Sequence, residues 1–201
     1  MNRSIVLFVI LATTAVLSGG CAAKVQRVKV DKQVDLSGRW NDTDARQVSE
    51  SMIADCTKQA WQPMFLGENK RLPVIIVGAV RNQSTEHINT EVFTKSLERS
   101  LLNSGKAKFV ANKVERPQVR EEREDQQMGD TDPATIRQMG REIGADYMLI
   151  GSINAIKDET KGRYVIFYQI SLELVDIQTN DKVWIGEENI KKIVEKNKYS
   201  L

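Results

Sequence analysis

Residues 72–80 read LPVIIVGAV, an apolar run with no charged side chain until Arg81. A strand with one face in water alternates apolar and polar residues. This one does not, so both its faces must be covered, and it belongs inside a sheet. The chain on either side supplies the cover. Downstream, residues 86–103 place Ile88, Val92, Phe93, Leu97, Leu101 and Leu102 on one helical face, and Gly105 is positioned to end that helix in the left-handed conformation. Upstream, Asp42 or Thr43 can cap a helix running to about Ala60, in which Val48, Met52, Cys56 and Ala60 recur four apart. Pro63 reads as its stop signal, and residues 67–71 (GENKR) read as a loop.

Further along, residues 106–110 (KAKFV) predict a short strand, and residues 114–128 a highly charged, solvated helix with Pro117 in its first turn. Asp132-Pro133 opens another predicted helix, with Ile136, Met139 and Ile143 facing inward and Gly144 at its end. YMLIGSINAI, residues 147–156, is a second apolar strand, followed by a polar hairpin loop over 157–163. Residues 164–176 alternate strictly, with Tyr168, Ile170, Leu172 and Leu174 on one side and Gln169, Ser171 and Glu173 on the other. That is a half-solvated antiparallel strand. A turn over 178–181 leads into KVWIGEENIKKI, the last strand, and a basic tail. The order predicts an α+β fold (an α/β sandwich) with one small mixed sheet of about four to five strands and helices mainly on one face.

With 41% hydrophobic and 28% charged residues among 201, four prolines and twelve glycines, the composition excludes a disordered, collagenous or multi-span membrane chain. A net charge of +2 gives no reason to expect nucleic acid as a partner. The first 20 residues, with Arg3, the apolar stretch IVLFVILATTAVL and then Ser18-Gly19-Gly20, read as a secretory leader. Thirteen apolar or small residues are too few to cross a bilayer as a helix, which needs about 20. A Cys directly after such a leader resembles the bacterial lipobox, with Ser18 where Leu is preferred. The resemblance implies that Cys21 is acylated and becomes the first residue of the mature chain. Ala22, where an inner-membrane lipoprotein carries Asp, implies sorting to the outer membrane by the same resemblance. The expected organisation is a lipoprotein signal peptide over 1–20, a tether over 21–34 and a globular domain over 35–201. As a flexible coil, about 20 residues between Cys21 and the first helix span roughly 25 Å, and fully stretched about 65–70 Å.

Catalytic parts are scarce. His87 is the only imidazole and sits at a predicted helix start, where a surface or capping position is expected. No HExxH, CxxC, Walker or GxGxxG pattern occurs, so no catalytic residue, metal site, cofactor or small-molecule substrate is expected. Asp35, Asp42 and Asp44 invite a calcium reading, but their spacing fails the EF-hand template. Glu121-Glu122 and Glu187-Glu188 are adjacent in sequence and do not converge as an acid/base pair must. If Cys21 is acylated, Cys56 has no disulfide partner and packs as a small hydrophobe on the inner face of its helix. Arg39-Trp40 stands out as a pair of residue types enriched at binding hot spots. The alternative is that Trp40 folds back as a staple on the first helix while Arg39 pairs with Asp42 or Asp44.

A lipoprotein leader followed by DLSGRWNDTDAR, VIIVGAVRNQSTEHINTEVFTKSLERSLLNSGKAKFV, IRQMGREIGADYMLIGSI and LELVDIQTNDKVWIGE resembles the LpoB-type family of penicillin-binding-protein activators over roughly residues 35–190. The resemblance implies a domain related in shape to the N-terminal domain of TolB and to the periplasmic domain of curli secretion lipoproteins. It also implies a non-enzymatic, outer-membrane lipoprotein facing the periplasm that docks on a bifunctional peptidoglycan synthase and raises its activity. A non-catalytic envelope assembly or secretion accessory on the same domain is the alternative. The chain lacks the long Pro-rich stalk of the enterobacterial pattern.

Overall fold

A computed structural model describes residues 26–29, 32–129, 131–136 and 142–195. The leader, Cys21 and Met139 lie outside the described residues. The chain divides at Lys32–Gln33, and the unit beginning at Gln33 contains all the regular structure described below.

The first helix, α1, spans Asp42–Cys56. Its cap is Asn41, not Asp42 or Thr43, which are already inside the helix. Asn41 is extended, its side chain accepts from the Asp44 N–H at 3.1 Å, and the Asp44 carboxylate accepts from the Asn41 N–H at 2.9 Å. The reciprocal box satisfies two donors that the helix leaves open. Ala45, Val48, Met52, Ile53 and Cys56 form the buried face.

The helix stops at Cys56 and does not reach Ala60, which is exposed. The Trp61 indole donates to the Cys56 carbonyl at 2.7 Å and so takes over an acceptor at the helix end. Trp61 itself begins α2, Trp61–Asn69. Pro63 therefore lies in the first turn of a helix, where backbone N–H groups have no partner within the helix and a proline removes nothing. Its reading as a stop signal is corrected by this placement. Gly67, Glu68 and Asn69 are helical rather than loop.

Strand β1, Val74–Asn82, is followed by α3, Thr90–Asn103, capped by Asn89. Phe93, Leu97 and Leu101 of α3 are buried as the periodicity predicts, but Val92 and Leu102 are exposed, because the buried stripe is narrower than the apolar one. Gly105 has a φ of +63° just past the helix. β2 is only Lys108–Phe109, and α4, Arg116–Gln127, buries no residue and carries Pro117 near its start. Around Asp132 the chain makes a turn, the Asp132 carboxylate accepting from the Ala134 N–H at 3.0 Å. Ile143, expected to face inward, is 64% exposed.

The sheet has five strands in the order β2-β1-β3-β4-β5, with β3 at Tyr147–Thr160, β4 at Arg163–Asp176 and β5 at Lys182–Glu195. β2, β1 and β3 run parallel, and β3, β4 and β5 form an antiparallel meander. Residues expected as a polar hairpin loop mostly belong to the ladder, which pairs Lys157 with Ile166 and Thr160 with Arg163, leaving a two-residue turn at Lys161-Gly162. The register aligns Leu149, Leu174 and Trp184, and likewise Ala155, Tyr168 and Ile190, on one face. α1 and α3 cover that face, and Ile153, Ile170, Leu172 and Leu97 are inaccessible to water there. Each such side chain contributes about 1.5–3 kcal/mol.

Candidate functional site

At the start of α1, a lysine from the far end of β5 gathers the acids that prompted a calcium reading. The Lys192 ammonium donates to Asp35 Oδ1 and Asp44 Oδ2, both at 2.7 Å, and to the Arg39 carbonyl at 3.3 Å. Asn41 and Gln33 also donate to the Asp35 carboxylate, at 2.6 and 2.9 Å. The Lys192 hydrogen bond, with those from Gln33 and Asn41, holds the Asp35 carboxyl down at about 2. Asp44 is pushed up by burial, against the pull of Lys192 and the Asn41 N–H. Burial alone would lower Lys192, but the two carboxylates outweigh it and raise the ammonium above its ordinary value. Two of the three aspartates thus converge, on an ammonium. Among the described residues no group of three His, Cys, Asp or Glu side chains could hold a metal ion.

The adjoining segment is stitched to the sheet. Gly38 has a φ of +69°, and a Cβ there would lie 2.3 Å from Val194 Cγ2, so only glycine fits. Its neighbour Ser37 accepts from the Tyr164 hydroxyl through its carbonyl. Trp40 sets its ring edge-on to Phe93 and Tyr168, at centroid distances of 5.8 and 5.7 Å. The Trp40 backbone N–H donates to Glu86 Oε2 at 3.4 Å, and the Tyr168 hydroxyl donates to the same oxygen at 2.8 Å. Burial, then the Glu86 carboxylate, pushes the Tyr168 phenol up. Trp40 is therefore joined to α3 and β4. Arg39 is exposed, and its guanidinium has no ion-pair partner among the described residues. The pairing of Arg39 with Asp44 is corrected, since Lys192 holds that carboxylate.

Arg39 and Trp40 line one groove of about 470 Å³ with Glu86, His87, Lys157 and Tyr164. His87 is exposed and does not cap α3, a role Asn89 fills. Lys157 lies over the Tyr164 ring at 4.8 Å and pairs with Glu159 at 2.6 Å. The groove offers a cationic mouth over an aromatic wall.

The opposite end of α1 holds residues that sequence reasoning passed over. Trp61, Phe65, Tyr147 and Trp184 surround a second groove of about 600 Å³. The Trp184 indole donates to Asp55 Oδ2 at 2.8 Å. Cys56, just behind, is a free buried thiol pushed up to about 12 by burial, as its expected inner-face position requires. A signal for Lys192 existed: Ile190, Lys192 and Val194 share the inward parity of β5, and a charge in such a row needs buried partners. Trp184 had one too, in an inward position two residues before Gly186.

Comparison with known proteins gives one family and several similar solved structures. The family model of the peptidoglycan-synthase activator LpoB matches residues 44–190, more than half of the chain. No protein of curated function matches in sequence. Among solved structures, the LpoB C-terminal domain from Salmonella enterica is similar at 18% identity, covering 73% of this chain and 98% of that one, with a TM-score of 0.41. The corresponding domain from Escherichia coli is similar at 18% identity, covering 71% and 97%, with a TM-score of 0.40. Lipoprotein GNA1162 from Neisseria meningitidis is similar at 13% identity, covering 60% and 83%, with a TM-score of 0.39.

Proposed function

Because the chain belongs to the LpoB family of peptidoglycan-synthase activators, we propose that it docks as a lipid-tethered partner on a bifunctional penicillin-binding protein and raises its glycosyltransferase and transpeptidase activities. The match over residues 44–190 carries this reading, since it takes in the whole sheet apart from the end of β5. Members of the family are non-catalytic, outer-membrane lipoproteins that face the periplasm and activate a penicillin-binding protein, and this chain is a periplasmic lipoprotein regulator of that kind. The kinship in shape with the N-terminal domain of TolB belongs to the same proposal and is supported by element order.

A partner without catalytic groups changes an enzyme's rate only by binding one of its conformations more tightly than another. A coupling of about 1–3 kcal/mol gives roughly a 5–150-fold effect. Arg39 and Trp40 divide the contact between them in this proposal. Trp40 fixes the backbone of the groove's rim, and Arg39 presents a planar fork of donors suited to a carboxylate of the enzyme.

Anchoring follows from Cys21, whose thiol is acylated before residues 1–20 are removed. Asp35 is held by Lys192, so the tether that can extend ends near residue 34. Thirteen residues reach about 45 Å when fully stretched, less than the 65–70 Å available to a tether running up to α1. An enzyme engaged by this domain must therefore project toward the anchoring membrane. Thiol titration of the denatured mature protein is expected to find Cys56 alone; two thiols would refute acylation of Cys21. Capture from crosslinked cells tests the function itself. A bifunctional synthase in the catch is expected, whereas pore or fibre subunits without a synthase would favour an assembly accessory.

A further inference from the structure

The groove at the C-terminal end of α1 is lined by apolar and acidic side chains together. Its inner wall is aromatic: Trp61 and Phe65 meet Tyr147 edge-on, at centroid distances of 5.3 and 5.6 Å. Trp184 completes the wall because residue 186 is glycine. A Cβ at Gly186 would lie 2.1 Å from the Trp184 ring, so any other residue would force the indole off the strand. Two flexible or branched apolar side chains flank the opening, Met64 and Ile185, each 62% exposed. Burying such side chains is favourable, and among the described residues nothing covers them.

The charged side chains that line this groove have one sign. Asp55 and Glu68 line it, and no lysine or arginine does. Asp55 already accepts from Trp184 and from Gln59 at 3.1 Å, but Glu68 has no ion-pair partner among the described residues. The Tyr147 phenol is pushed up by burial and then by Asp176, Asp146 and Glu68, so three carboxylates bear on the same corner.

The domain shows nearby how such chemistry holds a cation. Arg71 sits 5.1 Å over the Phe65 ring while its two terminal nitrogens donate to the two oxygens of Asp146, each at 2.7 Å. A guanidinium over an aromatic face with a carboxylate at its fork is a favourable arrangement. Glu68, beside Trp61 and Tyr147, offers the same components to a group from outside.

We propose that this groove docks an extended segment of the synthase that carries a lysine or arginine next to an apolar side chain, the cation meeting Glu68 and the apolar group entering between Met64 and Ile185. The proposal rests on the activator reading and adds a contact surface to it. A second copy of this chain is a weaker occupant. Its exposed cationic groove would have to supply Arg39, and a head-to-tail contact of that kind leaves unsatisfied surfaces at both ends unless it closes into a ring.

The three tryptophans, Trp40, Trp61 and Trp184, allow a direct test. Full-length lipoprotein carrying fluorotryptophan, its three fluorine signals assigned by single Trp→Phe variants, is titrated with the purified synthase captured from cells. The Trp61 and Trp184 signals are expected to shift on binding. Glu68→Lys is expected to weaken binding about tenfold and Glu68→Gln less, with unchanged melting and a loss of the salt dependence that a charged rim confers. Ile185→Ala provides a second, uncharged variant that should also weaken binding. Synthase binding at saturation with Trp61 and Trp184 unmoved would overturn the proposal and leave the activator reading standing. Shifts of those signals with protein concentration alone would assign the groove to a second copy and overturn it equally. Failure of the wild-type chain to bind any synthase would overturn the activator reading and the proposal with it.

Discussion

The two ends of α1 use similar residue types for different ends. At Asn41, charges face one another inside the domain: Lys192 is shared by Asp35 and Asp44, Glu86 receives both Tyr168 and the Trp40 backbone, and Trp40 lies against Phe93. At Cys56, the aromatic side chains are equally well fixed, but Glu68, Met64 and Ile185 are left exposed. The difference separates stability from recognition. Polar groups that satisfy one another lock a segment in place, whereas those left open at the edge of an apolar surface are available to a partner.

That contrast breaks most visibly if Lys192 is removed. Lys192→Met leaves Asp44, 5% exposed, without its counter-ion. The expected loss is about 3–5 kcal/mol by thermal or urea unfolding. Adding Asp44→Asn should restore much of it, because the buried charge is then gone. Trp40→Ala follows, at about 3 kcal/mol, since a ring packed on Phe93 and Tyr168 is lost. Arg39→Ala, one residue away and exposed, should change stability by less than about 0.5 kcal/mol. Equal effects at 39 and 40 would show that Trp40 is not the packing residue.

Acid sharpens the comparison further. The Asp35 carboxyl is held at about 2, below its ordinary 3.8, so its contribution to stability is complete above pH 3.8 and is lost as pH falls through about 2. Asp44 acts in the opposite sense, because burial favours its protonated form in the folded state. Melting curves between about pH 4 and about pH 2 should therefore be less steeply pH-dependent in Asp35→Asn than in the wild type. A parallel pair of curves would remove Asp35 from the Lys192 cluster. The smallest effect on folding is expected at the other end: Glu68→Lys, exposed in the last turn of α2, should alter stability by less than about 0.5 kcal/mol.

Elements whose signals are periodic were legible in the sequence. The unbroken run at 72–80 and the alternation at 164–176 place β1 and β4, and Phe93, Leu97 and Leu101 mark the buried face of α3. Pro63 misled because a proline serves equally as a helix stop and as a first-turn residue, and the contact that decides between them is made by the Trp61 indole on the Cys56 carbonyl. The 157–163 stretch looked like a loop because polar residues fill both faces where the meander extends beyond the helices. Arg39 and Trp40 were visible as a residue pair, yet their separate parts depend on Lys192, which takes Asp44, and on Phe93 and Tyr168, which pack against Trp40, all distant in sequence. No local pattern can show those contacts. The second groove was illegible for the same reason: Trp61, Tyr147 and Trp184 come from three distant segments, the register of β3, β4 and β5 bringing Tyr147 and Trp184 together and the packing of α2 on Tyr147 adding Trp61.

Activation by direct contact is tested most plainly by the rate of glycan-chain polymerisation by the purified synthase, measured while the full-length lipoprotein is titrated to saturation. The rate should rise by a factor within the roughly 5–150-fold range of such couplings and level off at the concentration where binding saturates. Saturated binding with no change in rate would contradict activation.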